Sequence, residues 1–280
     1  MGVAARPGLL PFSGLVRIGR PGAMGFVKTK DEIAAIQRVL KQPRFVGAEM
    51  LTLDFLTKPE TVKAILPPGL EPVAEPLITA MVGRWRSNCV ADFTGGAIYV
   101  MARHKAIEAP YVLSMFMDQD SAIIFGRDLF GEPKKQATTT LQRRGQFMHG
   151  YIERHGTRLI EIKATLDKDL GPAKATGANF NIKATPAADG SGCEDDPVLT
   201  LAEFDNSLTT RREGTGTLKL GSTVHDPLAD LPIVKVLRAN YIEGDLISRC
   251  KAIARLDRVA YVPYLYGRLD DWSKLDTENV

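Results

Sequence analysis

Short apolar segments with the alternation of β-strands recur from residue 77 onward, and turn residues separate them. Such close spacing favours an antiparallel barrel or sandwich over βαβ units. The polar segment 186–197, rich in Gly and Pro, is predicted to join two strands of one hairpin. The predicted strands are 51–56, 77–82, 97–102, 111–117, 122–125, 146–153, 158–166, 179–185, 198–204, 215–220 and 258–265.

Capping boxes and one amphipathic stretch predict the helices. In a capping box, a Ser or Thr at the start of a helix and a Glu three residues later bond each other's backbone N–H groups. Thr29 with Glu32 and Thr57 with Glu60 fit this pattern. The amphipathic stretch 231–254 is interpreted as helical in parts.

The N-terminal segment differs in composition from the rest of the chain. Its first 26 residues hold six glycines and three prolines, and no acidic residue precedes Asp31. The prolines break any amphipathic helix of the kind found in transit peptides. We therefore predict an N-terminal arm, residues 1–28, that packs along the surface or across a subunit interface. No linker or repeat divides the remainder, so residues 29–280 are predicted to form a single domain.

Composition and charge exclude several classes of protein. Hydrophobic residues at 44% and charged residues at 25% are ordinary globular values, which excludes disordered and collagen-like chains. Thirty-six basic and 33 acidic residues leave a net charge of +3, so neither nucleic acid nor an anionic membrane is expected as a partner. The apolar stretch 111–117 is far too short to span a bilayer. Three widely spaced cysteines without a CxxC motif favour a reducing, cytoplasmic location.

Metal sites and serine or cysteine nucleophiles have no support in the sequence. The four histidines lack the spacing of zinc ligands, and we interpret them as surface or hydrogen-bonded residues. No G-x-S-x-G motif is present. We therefore predict no metal and no cofactor.

The segment 125–135, FGRDLFGEPKK, contains the strongest candidate for chemistry. Two lysines after a proline are usually an exposed turn, and a short motif alone predicts function weakly. Here, however, the apolar predicted strands 111–117 and 122–125 lie just upstream and could wall a dry pocket.

Together with two other elements, this segment resembles the acetoacetate decarboxylase family. The elements are LPPGLEP at 66–72, GRDLFGEPKK at 126–135 and DPLADLP at 226–232, and the likeness extends from about residue 45 to 266. Spacing and resemblance together predict an α+β fold that is mainly antiparallel β, with a curved or closed barrel-like sheet and a few peripheral helices. The resemblance also implies a homo-oligomer. It makes Lys134 the residue that forms a Schiff base with a ketone, and Lys135 a charge beside it.

The chemistry requires Lys134 to be a free amine. An ordinary lysine, with a pKa near 10.4, is almost never free at neutral pH, so the resemblance implies a pKa lowered by burial or by a nearby cation. Adjacent residues on a strand point to opposite faces, so desolvation is expected to outweigh repulsion from Lys135. Replacing Lys135 with Ala is then expected to move imine formation only slightly to higher pH.

This sequence also departs from the family pattern. By an ungapped comparison, Ala80 and Gly95 stand where the family carries acidic residues, and Ala48 stands where it carries a substrate-positioning arginine. Glu132 adds an acid next to the lysines. These changes are similar to those of divergent members, some of which condense and dehydrate 2-oxo acids.

We predict a Schiff-base-forming lyase acting on a small oxo acid. The alternatives are an aldolase-dehydratase of 2-oxo acids and a non-catalytic member that binds a small molecule. Tyr264 is the candidate acid/base group, although it could equally be a packed aromatic residue. The predicted substrate-binding residues are Arg127, Met115, Met117 and Glu132, with Arg84 and Arg86 as weaker candidates for anion recognition.

Overall fold

The computed structural model describes residues 25–275, and the chain divides between Arg38 and Val39 into two units. Residues 1–24 of the predicted arm lie outside the described residues, and the predicted domain limits stay a prediction. Within the described part of the chain, no helix is long and apolar enough to cross a membrane.

Helix α1 (Lys30–Leu40) begins with the predicted capping box. The backbone N–H of Thr29 donates to Glu32 Oε2 at 2.7 Å, and the N–H of Glu32 donates to Thr29 Oγ1 at 3.3 Å. This prediction is confirmed.

The second unit is built mainly from strands. Its helices are α2 (Pro59–Ile65), α3 (Asp120–Phe125) and α4 (Arg258–Tyr266), with a π-helical turn at Gly126–Phe130 and 3-10 turns at Leu228–Asp230 and Trp272–Leu275. The strands are β1 (Arg44–Leu56), β2 (Glu71–Pro72), β3 (Leu77–Ser87), β4 (Ala91–His104), β5 (Ile107–Met117), β6 (Lys134–Gln136), β7 (Thr138–Arg144), β8 (Phe147–Arg154), β9 (Thr157–Asp169), β10 (Ala173–Lys183), β11 (Val198–Leu220) and β12 (Lys235–Arg255).

Seven strands close into a barrel. Their order is β10-β5-β4-β3-β1-β12-β11, and β11 pairs with β10 to complete the ring. Neighbours in the ring are antiparallel except β10 and β5, which meet in parallel at Phe180 and Tyr111. Strands β9, β8 and β7 continue the sheet from β11. The predicted α+β fold with a barrel-like sheet is confirmed, and 186–197 joins the hairpin of β10 and β11 as predicted.

Three predicted elements are of the wrong type. Segment 122–125 belongs to helix α3, because a run of four apolar residues does not distinguish strand from helix. Segment 258–265 is helix α4, which begins where Asp257 accepts hydrogen bonds from the N–H groups of Val259 and Ala260.

Segment 231–254 is mostly strand β12 and not helix. Its two halves bury opposite faces, because Ala239 and Tyr241 pack in one hydrophobic cluster and Leu246 packs in another. The change of face interrupts the alternation and imitates helical spacing.

The second capping box is also wrong. Lys58 precedes the first turn of α2 and Pro59 occupies it, so Thr57 stands one residue too early to cap. Its N–H instead donates to the carbonyl of Pro76 at 3.0 Å.

Candidate active site

The interior of the barrel holds a cavity of about 380 Å³. Every strand of the seven-stranded ring contributes to its wall, as does the segment that carries the lysine pair. The wall is mainly apolar and aromatic, and Lys134 and Glu132 are its charged residues. The lining residues are Phe45, Met50, Thr52, Thr79, Met81, Trp85, Phe93, Tyr99, Pro110, Met115, Met117, Glu132, Lys134, Gly177, Ala178, Asn179, Phe204, Asn206 and Leu246.

A tight turn delivers Lys134 to this cavity. The π-helical turn ends at Gly131, whose positive φ of 83° suits glycine. The N–H groups of Gly131 and Glu132 both donate to the carbonyl of Gly126, at 2.8 and 3.0 Å. Strand β6 then pairs in parallel with β5, placing Lys134 beside Met115. Because side chains alternate along a strand, Lys134 faces the cavity and Lys135 faces away from it.

The amino group of Lys134 is buried against one carboxylate. Lys134 is 6% exposed and Glu132 is 8% exposed. Lys134 Nζ lies 2.8 Å from Glu132 Oε2, donates to the carbonyl of Ala122 at 3.1 Å, and lies 5.7 Å from the ring centre of Phe93. An amine held by a single carboxylate in an apolar cavity has one nearby group to which it can pass a proton.

Gly126 makes room for this pair. A Cβ atom at position 126 would lie 2.3 Å from Glu132 Oε2 and 2.6 Å from Lys134 Nζ. Both distances are far below van der Waals contact, so any side chain here would displace the ion pair.

Lys135 belongs to a different environment, the Lys135 cluster, which consists of Lys135, Arg154, Asp226 and Asp270. Lys135 Nζ lies 2.8 Å from Asp226 and 3.1 Å from Asp270, and Arg154 pairs with the same two carboxylates. Burial alone would raise the pKa of Asp270, but hydrogen bonds from Arg154 and Lys135 outweigh it and lower that pKa to about 2. The structure therefore does not bring Lys135 to the cavity.

The other predicted site residues are divided between the cavity and its surroundings. Met115, Met117 and Glu132 line the cavity together with Lys134. Arg127 does not, since its guanidinium donates to the backbone carbonyl of Lys134 at 3.0 Å and supports β6 from outside. Burial lowers the pKa of Arg127, and the charge of Arg268 lowers it further.

Three other candidates lie away from the cavity wall. Tyr264 is on α4, stacked on Tyr261 with ring centres 6.0 Å apart. Arg84 pairs with Glu49 at 3.6 Å. Arg86 donates to the carbonyl of Gly47 at 3.1 Å.

Ala80 and Gly95 occupy the positions where the family is expected to carry acidic residues. Ala80 packs in the larger hydrophobic cluster, whereas its neighbours Thr79 and Met81 line the cavity, so an acid at position 80 would point away from it. Gly95 has no room for a side chain, because a Cβ there would lie 2.3 Å from Met117 Sδ. Neither position therefore supplies a carboxylate to the cavity of this chain.

Tyr99 is a cavity residue that the sequence analysis missed. Burial raises the pKa of Tyr99 well above its ordinary value of 10, and the negative charge of Glu132 raises it further. Its hydroxyl therefore keeps its proton at neutral pH. Tyr99 follows Phe93 and Ala97 at even spacing on β4, so strand alternation places the three side chains on one face, but it does not tell which face of the strand turns inward.

Comparisons with known proteins show which family the chain is similar to. The sequence profile of the family described as acetoacetate decarboxylase (ADC) matches residues 28–257. Among curated proteins, an acetoacetate decarboxylase of Burkholderia vietnamiensis (strain G4 / LMG 22486) is 30% identical in a match 211 residues long, which covers 72% of this chain and 84% of the relative.

Solved structures show the same fold. The acetoacetate decarboxylase of Legionella pneumophila superposes with a TM-score of 0.69 at 25% identity, covering 76% of this chain and 87% of that one. The enduracididine biosynthesis enzyme MppR, solved with the condensation product of pyruvate and imidazole 4-carboxaldehyde, gives a TM-score of 0.67 at 18% identity, over 75% of this chain and 88% of that one.

Proposed function

This chain belongs to the acetoacetate decarboxylase family, and on that premise we propose that it is a Schiff-base-forming lyase in which Lys134 attacks the carbonyl of an oxo acid. The observation that carries the proposal is the buried Lys134 amine, 2.8 Å from Glu132 in an apolar cavity. Amines of this kind are nucleophiles once they have lost a proton.

Glu132 is the proton acceptor that frees the amine. A proton passing from Lys134 Nζ to Glu132 Oε2 turns an ion pair into two neutral groups, which apolar surroundings favour. The neutral Nζ then attacks the carbonyl carbon and forms a carbinolamine. Protonated Glu132 gives its proton to the departing hydroxyl, so water leaves and an iminium ion remains.

The iminium ion receives the electrons of the bond that breaks. When the C–C bond to the carboxylate cleaves, CO₂ departs and the electron pair moves into an enamine. The enamine carbon then takes up a proton, for which we assign the donor role to the hydroxyl of Tyr99, a residue that lines the same cavity. Hydrolysis of the resulting iminium ion by water returns the ketone and the neutral Lys134 amine, and the proton released in this step goes back to the Tyr99 phenolate.

An aldolase-dehydratase acting on 2-oxo acids is the second candidate. Two groups that can carry protons, Glu132 and Tyr99, line the cavity with Lys134, and aldol condensation followed by dehydration needs such groups. Against this candidate, no arginine lines the cavity within residues 25–275. A 2-oxo acid keeps its carboxylate throughout the condensation and would have Lys134 as its only cationic partner there, whereas a 3-oxo acid loses its carboxylate as CO₂.

One experiment separates these functions. The protein is incubated with a 3-oxo acid, and separately with pyruvate and an aldehyde, while CO₂ release and enone absorbance are recorded. Release of CO₂ from the 3-oxo acid is the expected result. Enone formation alone would favour the aldolase-dehydratase, and binding without either product would leave a non-catalytic binding protein.

Three statements about the assembly, location and cofactor requirement of the protein stay predictions. They are homo-oligomeric assembly, a cytoplasmic location and a reaction that needs no cofactor. Sedimentation at micromolar concentration tests the first, because a monomer alone would contradict it.

A further inference from the structure

We propose that the substrate carries an apolar, flexible tail of several carbons beyond the acetoacetate skeleton, and that this tail extends from Lys134 toward the cavity opening at Gly177. This inference rests on the proposed function and specifies its substrate class. It would make the chain an enzyme for medium-chain 3-oxo acids, with methyl ketones as products.

The first support is the size of the cavity. A water molecule takes up roughly 30 Å³ in the liquid, so a cavity of about 380 Å³ has room for about a dozen atoms of that size. Acetoacetate has seven non-hydrogen atoms and would leave a large part of this space unfilled. Unfilled apolar space forgoes the van der Waals contacts that a longer chain would make.

The second support is the chemistry of the wall. Four of the chain's eight methionines line the cavity, together with four aromatic residues that carry no hydrogen-bonding hydroxyl. Methionine side chains are flexible and polarizable, and they adapt to apolar ligands of varied shape. These residues are Met50, Met81, Met115 and Met117, with Phe45, Trp85, Phe93 and Phe204.

The charges of the wall are confined to the reacting end. Within the described residues, Lys134 and Glu132 are the only charged side chains that line the cavity. A carboxylate in the substrate therefore finds its cation at Lys134, where the carbonyl reacts, and nowhere along the rest of the wall. The remainder of the molecule meets mainly apolar surface, which selects a hydrocarbon tail.

Gly177 marks the open side of the cavity. It is exposed, whereas Lys134 is buried. When a molecule from solvent has reached Lys134, the rest of that molecule therefore lies between Lys134 and Gly177. Gly177 shares a strand face with Asn179, which also lines the cavity. A Cβ atom at position 177 meets nothing closer than Asn206 Nδ2 at 3.9 Å, so larger side chains can narrow this opening without a clash at Cβ.

A series of 2-alkanones from acetone to 2-nonanone tests the proposal. Each ketone is incubated with the protein and cyanoborohydride, and intact mass gives the concentration for half-maximal trapping. We expect that concentration to fall about three- to fourfold per added methylene, the ratio for burying one CH₂ group, until the tail reaches the opening.

Gly177→Phe and its control Thr176→Phe test the path of the tail. We expect Gly177→Phe to raise the half-maximal concentration of 2-octanone at least about tenfold and to leave that of acetone nearly unchanged, because only the longer ketone passes residue 177. Thr176 is exposed on the same strand but does not line the cavity, so Thr176→Phe should resemble the wild type with both ketones.

Each negative result of these trapping experiments would overturn a different part of the proposal. Trapping that is independent of chain length would overturn the apolar tail and leave the Schiff base standing. Equal losses for acetone and 2-octanone in Gly177→Phe would overturn the path past Gly177. Absence of trapping with every ketone would overturn the proposed function and this inference together.

Discussion

Lys134 and Lys135 are neighbours in the chain, but they occupy opposite sides of β6 and different chemical environments. Lys134 faces one carboxylate in an apolar cavity. Lys135 faces two carboxylates, which it shares with Arg154, and also donates to the carbonyl of His225 at 2.8 Å.

The difference indicates a division of labour. A cation bound by two carboxylates and a carbonyl loses several favourable interactions when it gives up a proton or moves. Lys135 is therefore suited to anchoring β6. A cation bound by one carboxylate can become neutral by a single proton transfer. Lys135 is therefore a positioning residue in this account, and only Lys134 is expected to react.

The largest expected effect comes from removing Lys135, the lysine that anchors β6. Lys135→Met leaves Asp226 and Asp270 with Arg154 as their remaining partner in the Lys135 cluster, and losing one member of a buried ionic group costs about 3–5 kcal/mol. Urea unfolding should show a loss of this size. Lys251→Met is the matched control, because Lys251 pairs with Glu203 on the exposed surface, and such pairs contribute at most about 1 kcal/mol. Equal losses in both variants would contradict the anchoring role.

The next largest effect is expected from replacing Glu132, the proton acceptor of Lys134. Glu132→Gln keeps the size of the side chain but removes the proton acceptor, so we expect the initial rate of imine trapping to fall about a hundredfold. Asp128→Asn, an exposed change in the same segment, should trap at the wild-type rate. An unchanged rate in Glu132→Gln would show that the proton leaves Lys134 by another route.

The smallest effect is the acid sensitivity of the Lys135 cluster. Asp270 has a pKa of about 2 in the folded protein against an ordinary value of 3.8. A lowered carboxyl pKa adds stability above 3.8, and this contribution disappears as the pH falls toward 2. The difference in unfolding free energy between the wild type and Lys135→Met should therefore shrink over this interval. A difference that stays constant would mean that Asp270 does not bind Lys135 as the structure has it.

Fold and site could be predicted from the sequence to different extents. The barrel was predictable because most of its strands alternate locally and because the family resemblance implies a barrel-like sheet. Lys134 was predictable as the candidate residue from the GRDLFGEPKK motif at 126–135. The opposite orientation of Lys135 followed from strand geometry alone.

Tyr264 and Tyr99 illustrate what could not be predicted. Tyr264 was a candidate because the residues of 258–265 predict a strand, but the Asp257 cap makes the segment a helix. Tyr99 was missed because the face of β4 that turns inward depends on its pairing with distant strands. The same long-range packing makes β12 bury opposite faces along its length, which no local window detects.

Reductive trapping with residue assignment tests the central claim most directly. The wild type, Lys134→Met and Lys135→Met are each treated with acetoacetate and cyanoborohydride near neutral pH, and the modified peptide is identified by mass spectrometry. We predict one adduct, on Lys134, in the wild type and in folded Lys135→Met, and none in Lys134→Met. An adduct on Lys135 or on any other lysine, or no adduct in the wild type with acetoacetate, pyruvate or longer ketones, would contradict the account.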